Sequence, residues 1–308
     1  MKTIRIHSLK EIPFYRNLTL CLGFFDALHA GHRKLIESGK RFSSPLGVLT
    51  FSENPLRLLK GEICPVISSL EMKQEILSDA GVDLLFVLEL SWEFLNLEKE
   101  AFIEEILLPL GVENIVCGFD YSFGKGGKGR PEDLIGSGKF HVEVIEEVKN
   151  DRNEKISSSL IHSLIRSGKT EEAGIYLCRP YQIRGTVMSG FHVGRTISYK
   201  TANIGMSDRF ELPCRGVYAT EIEIDCRRYE SMTNIGCHPT VNTLPEPGIE
   251  THIFDFDENL YGKKVRLYFY RKIRDEMKFE SLSDLKKQLE CDETETREYF
   301  AGKRKETA

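Results

Sequence analysis

The stretch that decides the fold runs from Leu18 to His32 and has the sequence LTLCLGFFDALHAGH. Leu18–Phe25 is a nearly continuous apolar run, which is typical of a strand buried on both faces of a parallel sheet. Helical spacing follows over Ala30–Gly39, and the final glycine predicts the end of that helix. A buried strand that leads directly into a helix is the unit from which parallel sheets are built.

The same alternation continues along the first half of the chain. A capping box of Ser68 and Glu71 predicts the start of a helix that ends at Gly81. Further strands are predicted at Leu46–Phe51, Leu84–Leu88, Asn114–Gly118 and His141–Glu146, and a further amphipathic helix at Leu97–Leu108. Repeated βα units predict an α/β fold in which a parallel sheet carries helices on both faces.

The pattern changes after Asn150. Short helices are predicted at Ser157–Ser167 and Thr170–Tyr176, and they lead to Arg179-Pro180. Strands of alternating character follow, separated by glycine and proline, at Tyr181–Met188, Gly216–Glu223, Arg228–Ile235, Glu250–Phe254 and Lys264–Ile273. Such a run of strands with almost no helix between them predicts an antiparallel β-barrel or sandwich.

Two helices are predicted at the end of the chain, at Ser281–Leu289 and Glu293–Phe300, and the charged tail after Gly302 is expected to fray. A length of 308 residues suits two domains better than one. We therefore predict one domain over residues 1–180, built on the parallel sheet, and a second over residues 181–308, built on the barrel.

Composition excludes several classes of protein. The chain is 41% hydrophobic and 29% charged, as ordinary globular proteins are, and its net charge of −5 provides no field for holding nucleic acid. Its 8 cysteines form no C-x-x-C pair, which argues against structural zinc and a disulfide framework. No apolar run reaches the length of a membrane span, and Met1–Lys10 lacks the apolar core of a signal peptide, so we expect a cytoplasmic protein.

Two histidines, His29 and His32, follow the first buried strand and open a helix. Ligands of open parallel sheets bind at the carboxyl ends of the strands, and helix N-termini attract phosphate. Gly31, between the histidines, lets the backbone approach an anion closely. Taken alone the pattern indicates only a solvated helix start, but Ser157–Ser159 downstream offer further hydroxyls and amides to a polyphosphate, so we favour nucleotide binding.

A glycine- and lysine-rich segment at Gly124–Arg130 superficially resembles a phosphate-binding loop. It lacks the Lys-Ser/Thr ending of a P-loop and opens no clear βα turn. Two interpretations stay open: a flexible loop, or a cover over bound phosphates.

The second half carries a different group of polar residues. A Gly190-x-x-x-Gly194-Arg195 turn follows the first strand of the barrel, and Thr201-Ala202-Asn203 comes next. Threonine and asparagine offer neutral oxygens that suit Mg²⁺ and the phosphates of a nucleotide. Glu250, on a later strand, is a carboxylate that can accept the proton of an attacking hydroxyl. Each signal alone also fits an ordinary turn, cap or solvent-facing strand residue.

In this order, the motifs resemble the bacterial bifunctional riboflavin kinase/FAD synthetase family over nearly the whole chain. The matching segments are Phe25-Asp26 with His29-x-Gly31-His32, Cys117–Gly124, Ile156–Ser159, Arg179–Tyr181, Gly194-Arg195, Thr201–Ile204, Gly216–Ala219, Asn234–Gly236, Glu250–Phe256, Leu260–Gly262 and Arg274–Glu276.

The resemblance implies a first domain of the HxGH nucleotidyltransferase type, which joins FMN to the AMP part of ATP to make FAD and pyrophosphate. His29 and His32 would steady the α-phosphate, and Ser157–Ser159 the other two phosphates. The remaining residues implied for ATP are Gly23, Phe25, Asp26, Gly31 and His162, and those implied for flavin are Asn54, Asp120 and Phe123.

For the second domain the resemblance implies a flavokinase barrel that phosphorylates riboflavin with Mg-ATP. Thr201 and Asn203 match the motif that holds Mg²⁺ and ATP, and Glu250 matches the base that activates the ribityl hydroxyl. The flap over the nucleotide is matched by Gly190, Gly194 and Arg195, and the flavin side by Arg274 and Glu276. Partners are then small molecules only, and the oligomeric state stays open.

The chain departs from the family pattern at four points. Lys200 stands where a proline usually precedes Thr-Ala-Asn, so the preset turn is lost. Phe24 replaces a commonly polar residue, and Ala27 replaces a glycine. His162 replaces an arginine, which would be charged and bidentate toward phosphate. Two alternatives therefore remain, a monofunctional FAD synthetase with a degenerate kinase module and a non-catalytic flavin-binding regulator.

Overall fold

The computed structural model describes residues 1–62, 64–188, 199–237 and 247–307. They form two compact units, Met1–Ser158 and Ser159–Ala308. Each unit is built around a sheet of its own, and the two are described separately.

The described residues of the first unit form a six-stranded parallel sheet. Its strands are β1 (Lys2–Ile6), β2 (Leu18–Leu22), β3 (Leu46–Phe51), β4 (Leu84–Leu88), β5 (Val112–Gly118) and β6 (His141–Ile145), paired in the order β1-β4-β3-β2-β5-β6. The predicted parallel sheet is confirmed. β1 was not predicted, because its sequence KTIRI alternates charged and apolar residues and its first residues are partly exposed at the sheet edge.

The helices of this unit are α1 (Ala30–Gly39), α2 (Leu56–Lys60), α3 (Leu70–Asp79), α4 (Trp92–Leu95), α5 (Lys99–Phe102) and α6 (Pro131–Gly136). Successive residues of β4 point to opposite faces of the sheet. Phe86 packs in one apolar cluster with Ile106, and Leu85 packs in another with Leu35 of α1 and Leu77 of α3. Helices therefore cover both faces, as the sequence predicts.

Three local predictions in this unit are wrong. The strand from Leu18 ends at Leu22, because Phe25 and Leu28 have φ of 53° and 48°, which no strand allows. The helix predicted at Leu97–Leu108 is α5 followed by a π-helical turn at Ile103–Leu107, where the Leu108 amide donates to the Ile103 carbonyl.

The third error concerns the start of α3. Its N-cap is Ser69, whose hydroxyl accepts from the Met72 amide at 3.3 Å, one residue after the predicted Ser68.

The second unit contains a closed antiparallel barrel. Its described strands are β7 (Tyr181–Met188), β8 (Thr201–Met206), β9 (Gly216–Ile224), β10 (Arg227–Cys237), β11 (Pro247–Ile253) and β12 (Lys264–Arg274), in the order β10-β11-β8-β7-β12-β9. The predicted barrel is confirmed, although the strand character of β8 was not predicted.

Helices flank this barrel in the chain: α7 (Ser158–Arg166), α8 (Thr170–Leu177) and α9 (Leu282–Thr307). The prediction of two C-terminal helices and a frayed tail is wrong, because α9 is continuous and extends through the charged residues after Gly302. Contacts with the barrel that no local pattern reveals hold this helix, such as the Arg297 guanidinium donating to the Asp255 carboxylate at 2.9 Å.

Alternation along β11 gives the barrel two chemically different faces. Thr251 is fully buried and its hydroxyl lies 2.9 Å from that of Thr233, in a network that includes Thr220 and Ser231. The neighbouring residues of β11 therefore point away from this network, toward the outer face of the strands.

Candidate active sites

The loop between β2 and α1 lies at the carboxyl edge of the parallel sheet and ends in the predicted histidines. His29 is the N-cap of α1, and its ring stacks on that of His32 with centroids 3.9 Å apart and an interplanar angle of 22°. A Cβ on Gly31 would lie 3.0 Å from Cε1 of His29, so the glycine leaves room for the stack. The Phe25 ring packs against the histidine pair, with its centroid 4.9 Å from that of His32.

Asp26 fixes the same loop to the segment before α3. Its side chain is only 5% exposed, and Oδ1 accepts from the amides of Ile67 and Ser68 at 3.2 and 3.5 Å. These amides precede the N-terminus of a helix, where a carboxylate is favoured. The residue therefore has an anchoring role that the sequence did not reveal.

Lys73 of α3 is a buried cation that the sequence analysis missed. Nζ donates to the Phe24 carbonyl at 3.0 Å and lies 3.9 Å from the centroid of the Phe24 ring. Burial lowers the pKa of Lys73 from 10.5 to about 8, and the nearby Asp26 carboxylate acts in the opposite direction. In the sequence, only Phe24, which replaces a commonly polar residue of the family, indicated that the surroundings of this lysine are unusual.

A cavity of about 350 Å³ lies beside this loop in the first unit. Aromatic side chains dominate its walls, which suits a flat ring system. The lining residues are Gly23, Phe24, Leu49, Thr50, Phe51, Pro55, Leu59, Leu88, Phe94, Leu95, Phe102, Tyr121, Ser122, Phe123, Gly124, Gly126 and Gly127. The glycine- and lysine-rich segment therefore contributes to a wall of this cavity.

Three residues predicted to bind flavin have different positions relative to the cavity. Phe123 lines it, with its ring 5.2 Å from Phe102 and 5.9 Å from Tyr121. Asn54 adjoins the lining, and its Oδ1 accepts from the Leu56 amide at 3.0 Å at the start of α2. Asp120 also adjoins the lining, and its carboxylate forms an ion pair with Lys155.

The serine motif opens α7, which begins at Ser158. Ser157 and Ser158 belong to the first unit, whereas Ser159 and His162 belong to the second. Ser159 and His162 line an open groove of about 510 Å³ together with Arg166, a cation that the sequence did not single out.

His162 contacts a buried carboxylate within the second unit. Its Nδ1 lies 2.8 Å from Oε2 of Glu211, and Nε of Arg166 donates to the same oxygen at 2.9 Å. Burial acts to raise the pKa of Glu211, but the hydrogen bonds from His162 and Arg166 outweigh it, so that this pKa is lowered overall.

The register of the barrel brings the predicted kinase residues together. Asn203 of β8 pairs with Glu250 of β11, Thr201 pairs with His252, and Asn234 of β10 pairs with Glu250 from the other side. Directly paired residues point to the same face of a sheet. One face therefore presents hydroxyl, amide, carboxylate and imidazole groups side by side.

A cavity of about 240 Å³ lies against this face, with α9 contributing to its walls. It combines an apolar wall with a few convergent polar groups, as small-molecule sites do. Its lining residues are Tyr199, Thr201, Val217, Met232, Asn234, Glu250, His252, Arg274, Glu276, Met277, Phe279, Leu285 and Leu289.

Arg274 is held by a buried partner on α9. Its guanidinium donates from Nε at 2.8 Å and from the terminal nitrogen at 2.7 Å to the two carboxylate oxygens of Asp292, which is 1% exposed. Gln288 donates to the same carboxylate at 2.8 Å. The arginine thus joins β12 to α9 at the wall of the cavity, a structural role that the sequence did not indicate.

Lys200, the departure before Thr201, forms an ion pair with the exposed Asp257, and neither residue lines the cavity. Its carbonyl lies 2.8 Å from Nδ1 of His252. The Tyr199 ring lies 4.8 Å from that of His252, and burial raises the pKa of Tyr199 to about 12. The backbone of this turn therefore takes part in the site although the proline is missing.

Some predicted residues cannot be placed. Gly190, Gly194 and Arg195 lie outside the described residues. Within the described ranges, no group of three or more histidine, cysteine, aspartate or glutamate residues is placed to hold a metal ion. No helix in the same ranges has both the length and the apolar character needed to cross a membrane.

Comparison with known proteins matches each half to one family. The FAD synthetase model matches residues 12–160, and the riboflavin kinase model matches residues 177–300. A crystal structure from Streptococcus pneumoniae, described as a macrolide-efflux protein, superposes with a TM-score of 0.89 at 34% identity, covering 96% of this chain and 98% of that one.

Curated relatives match nearly the full length. The bifunctional riboflavin kinase/FMN adenylyltransferase of Bacillus subtilis is 36% identical over 99% of this chain and 100% of its own. The Escherichia coli (strain K12) protein of the same description is 31% identical over 97% of this chain and 98% of its own. Both family models match this one chain, and the relatives' descriptions name both activities, so the chain belongs to the bifunctional riboflavin kinase/FMN adenylyltransferase family.

Proposed function

We propose that this chain makes FAD from riboflavin in two steps. The second unit transfers the γ-phosphoryl group of ATP to riboflavin, which gives FMN and ADP. The first unit transfers the AMP part of ATP to FMN, which gives FAD and pyrophosphate. Both reactions use small molecules that the cytoplasm supplies, and we place the protein there.

The stacked histidines at the start of α1 carry the proposal for adenylyl transfer. A phosphate oxygen of FMN forms a bond to the α-phosphorus of ATP while the bond from that phosphorus to the pyrophosphate oxygen breaks. Charge accumulates on the α-phosphate in the transition state, and imidazoles and helix amides directed at it lower the barrier. His29 and His32 supply the imidazoles, and Ser157–Ser159 are proposed to hold the leaving pyrophosphate.

The aromatic cavity beside this loop suits the isoalloxazine ring. Phe123 lies in its wall, and Asn54 and Asp120 adjoin it. Gly23, Phe25, Asp26 and Gly31 shape the loop that the nucleotide approaches. His162, already engaged with Glu211, is proposed to act on phosphate only if that contact opens.

The pairing of Asn203 with Glu250 carries the proposal for the kinase. Glu250 takes the proton of the terminal ribityl hydroxyl as its oxygen attacks the γ-phosphorus and the bond to ADP breaks. The neutral oxygens of Thr201 and Asn203, beside a carboxylate, are donors of the kind that Mg²⁺ prefers. Mg²⁺, when bound with ATP, would neutralise phosphate charge there.

The remaining walls of the barrel cavity are proposed to receive the flavin. Arg274 and Glu276 lie in the lining, and Gly190, Gly194 and Arg195 are proposed to cover the nucleotide. We propose functional domains of 1–180 and 181–308. This boundary lies after α8, whereas the compact units divide at Ser158.

A two-substrate assay tests both activities. With riboflavin, ATP and Mg²⁺, the purified chain should yield FMN and then FAD, and with FMN in place of riboflavin it should yield FAD and pyrophosphate. A folded preparation that forms neither product would refute the proposal. The two curated relatives named above are described with both enzyme activities, and no observation on the described residues favours a non-catalytic regulator.

A further inference from the structure

The Phe24 carbonyl is held by two donors from different elements. Lys73 Nζ of α3 donates to it at 3.0 Å, and the Thr50 hydroxyl of β3 donates at 2.8 Å. Phe24 follows the end of β2 and lines the aromatic cavity. A single peptide unit next to the proposed flavin pocket is thus tied to both the sheet and a helix.

Burial of the charged lysine makes this contact energetically unfavourable unless other groups compensate. Its side chain is 3% exposed, and burying an ammonium costs several kcal/mol before any compensation. The carbonyl, the face of the Phe24 ring at 3.9 Å and the nearby Asp26 carboxylate supply the compensation. An apolar side chain would fill the same space without that cost, which points to a use for the cation beyond packing.

The Phe24 carbonyl, which accepts from Lys73, directly precedes a strained part of the loop. Phe25 has φ of 53°, a left-handed conformation that is unfavourable for a bulky residue and persists only when its surroundings enforce it. The Phe25 ring lies against that of His32, which stacks on His29. A continuous set of contacts therefore runs from Lys73 through Phe24 and Phe25 to the histidine pair.

On the basis of the transferase function proposed above, we propose that Lys73 is a positioning residue for adenylyl transfer. It holds the Phe24 peptide so that the strained loop presents His29 and His32 together to the α-phosphate. Asp26, two residues after Phe24, attaches the loop to the amides of Ile67 and Ser68 just before α3, so a second contact holds the loop near the same helix.

Steady-state kinetics of Lys73→Met and Lys73→Arg test the proposal, with the exposed Lys40→Met as the matched control. In Lys73→Met, kcat for FAD formation should fall about 10- to 100-fold while KM for ATP and FMN changes less than about threefold, because misplaced catalytic groups weaken transition-state binding. Lys73→Arg, which keeps a cation, should recover part of kcat. Lys40→Met should match the wild type.

Two further readouts separate positioning from a structural role. Because burial disfavours the charged form of Lys73 more than the Asp26 carboxylate favours it, Lys73→Met should not lower the thermal stability of the chain, and riboflavin phosphorylation in the second unit should stay unchanged. A Lys73→Met protein that is folded and keeps kcat within twofold of the wild type would overturn the proposal. Failure of the wild type itself to make FAD would refute the underlying function instead.

If Lys73→Met does not fold, Thr50→Val removes the other donor to the same carbonyl. The proposal then requires a severalfold lower kcat in Thr50→Val, and an unaltered kcat would contradict it.

Discussion

Gly31 shows how a single residue without a side chain shapes the proposed transferase site. A Cβ at this position would meet the His29 ring at 3.0 and 3.1 Å, closer than ordinary van der Waals contact. Gly31→Ala should therefore displace His29 from its stack on His32 and lower the rate of FAD formation at least about tenfold.

The same substitution should not weaken the helix. Alanine in a helix is favoured over glycine by about 1 kcal/mol, so the thermal stability of Gly31→Ala should be equal or higher. The rate of FAD formation and the melting temperature, measured for Gly31→Ala and for the wild type, test the two expectations. Unchanged FAD formation would mean that the stacked arrangement is not required.

Lys73 provides a pH-dependent signal in stability. Burial lowers its folded pKa to about 8 from 10.5, so between these values the unfolded chain holds a proton that the folded chain has released. The free energy of unfolding must then rise with pH across this window, by about 3 kcal/mol in total.

Urea unfolding, followed by the fluorescence of Trp92, the single tryptophan of the chain, measures the free energy of unfolding of the first unit at each pH. The wild type should gain stability relative to Lys73→Met between pH 7.5 and 10. A difference between the two proteins that stays constant with pH would show that the lysine is not held in a charge-disfavouring environment.

At the scale of elements, α9 depends on one buried ion pair. Asp292→Asn leaves the Arg274 guanidinium without its carboxylate, a change that costs about 3 kcal/mol or more at buried sites. The second unit should unfold at lower denaturant concentration, and KM for riboflavin should rise because α9 lines the cavity.

Glu295→Gln, an exposed change on the same helix, is the control and should leave both quantities unaltered. FAD formation from FMN should persist in Asp292→Asn, since it belongs to the other unit. Equal stability of Asp292→Asn and the wild type would show that the pair does not hold the helix.

Elements with a strong apolar signal could be predicted from the sequence. Leu46–Phe51, Leu84–Leu88 and Ala30–Gly39 have the predicted bounds, because long-range burial and local pattern agree there. β8 was missed because Thr201-Ala202-Asn203 lacks the apolar alternation of a core strand and only Ile204 of this strand is buried. α9 forms ion pairs with Arg274 and Asp255 of the barrel, and neither its continuity nor the π-helical turn has a local signal.

In the candidate sites, too, residues with a local sequence signal could be predicted and long-range contacts could not. His29, His32, Thr201, Asn203 and Glu250 were identified by residue type and by the family resemblance. The contacts of Lys73 with Phe24, of His162 with Glu211 and of Arg274 with Asp292 join residues far apart in sequence. No spacing rule links such residues, so only the fold reveals them.

At the scale of the whole molecule, two units with separate cavities predict that the two reactions can be lost independently. His29 and His32 lie in the first unit, whereas Thr201, Asn203 and Glu250 lie in the second. A defect in one module should therefore stop the pathway at a defined product and leave the other reaction intact.

The most direct test is product analysis of wild type, His32→Ala and Glu250→Gln incubated with riboflavin, ATP and Mg²⁺. Wild type should accumulate FAD, His32→Ala should stop at FMN, and Glu250→Gln should leave riboflavin unconverted yet turn added FMN into FAD. Loss of both reactions in either folded variant, or of neither, would contradict the assignment of one reaction to each unit.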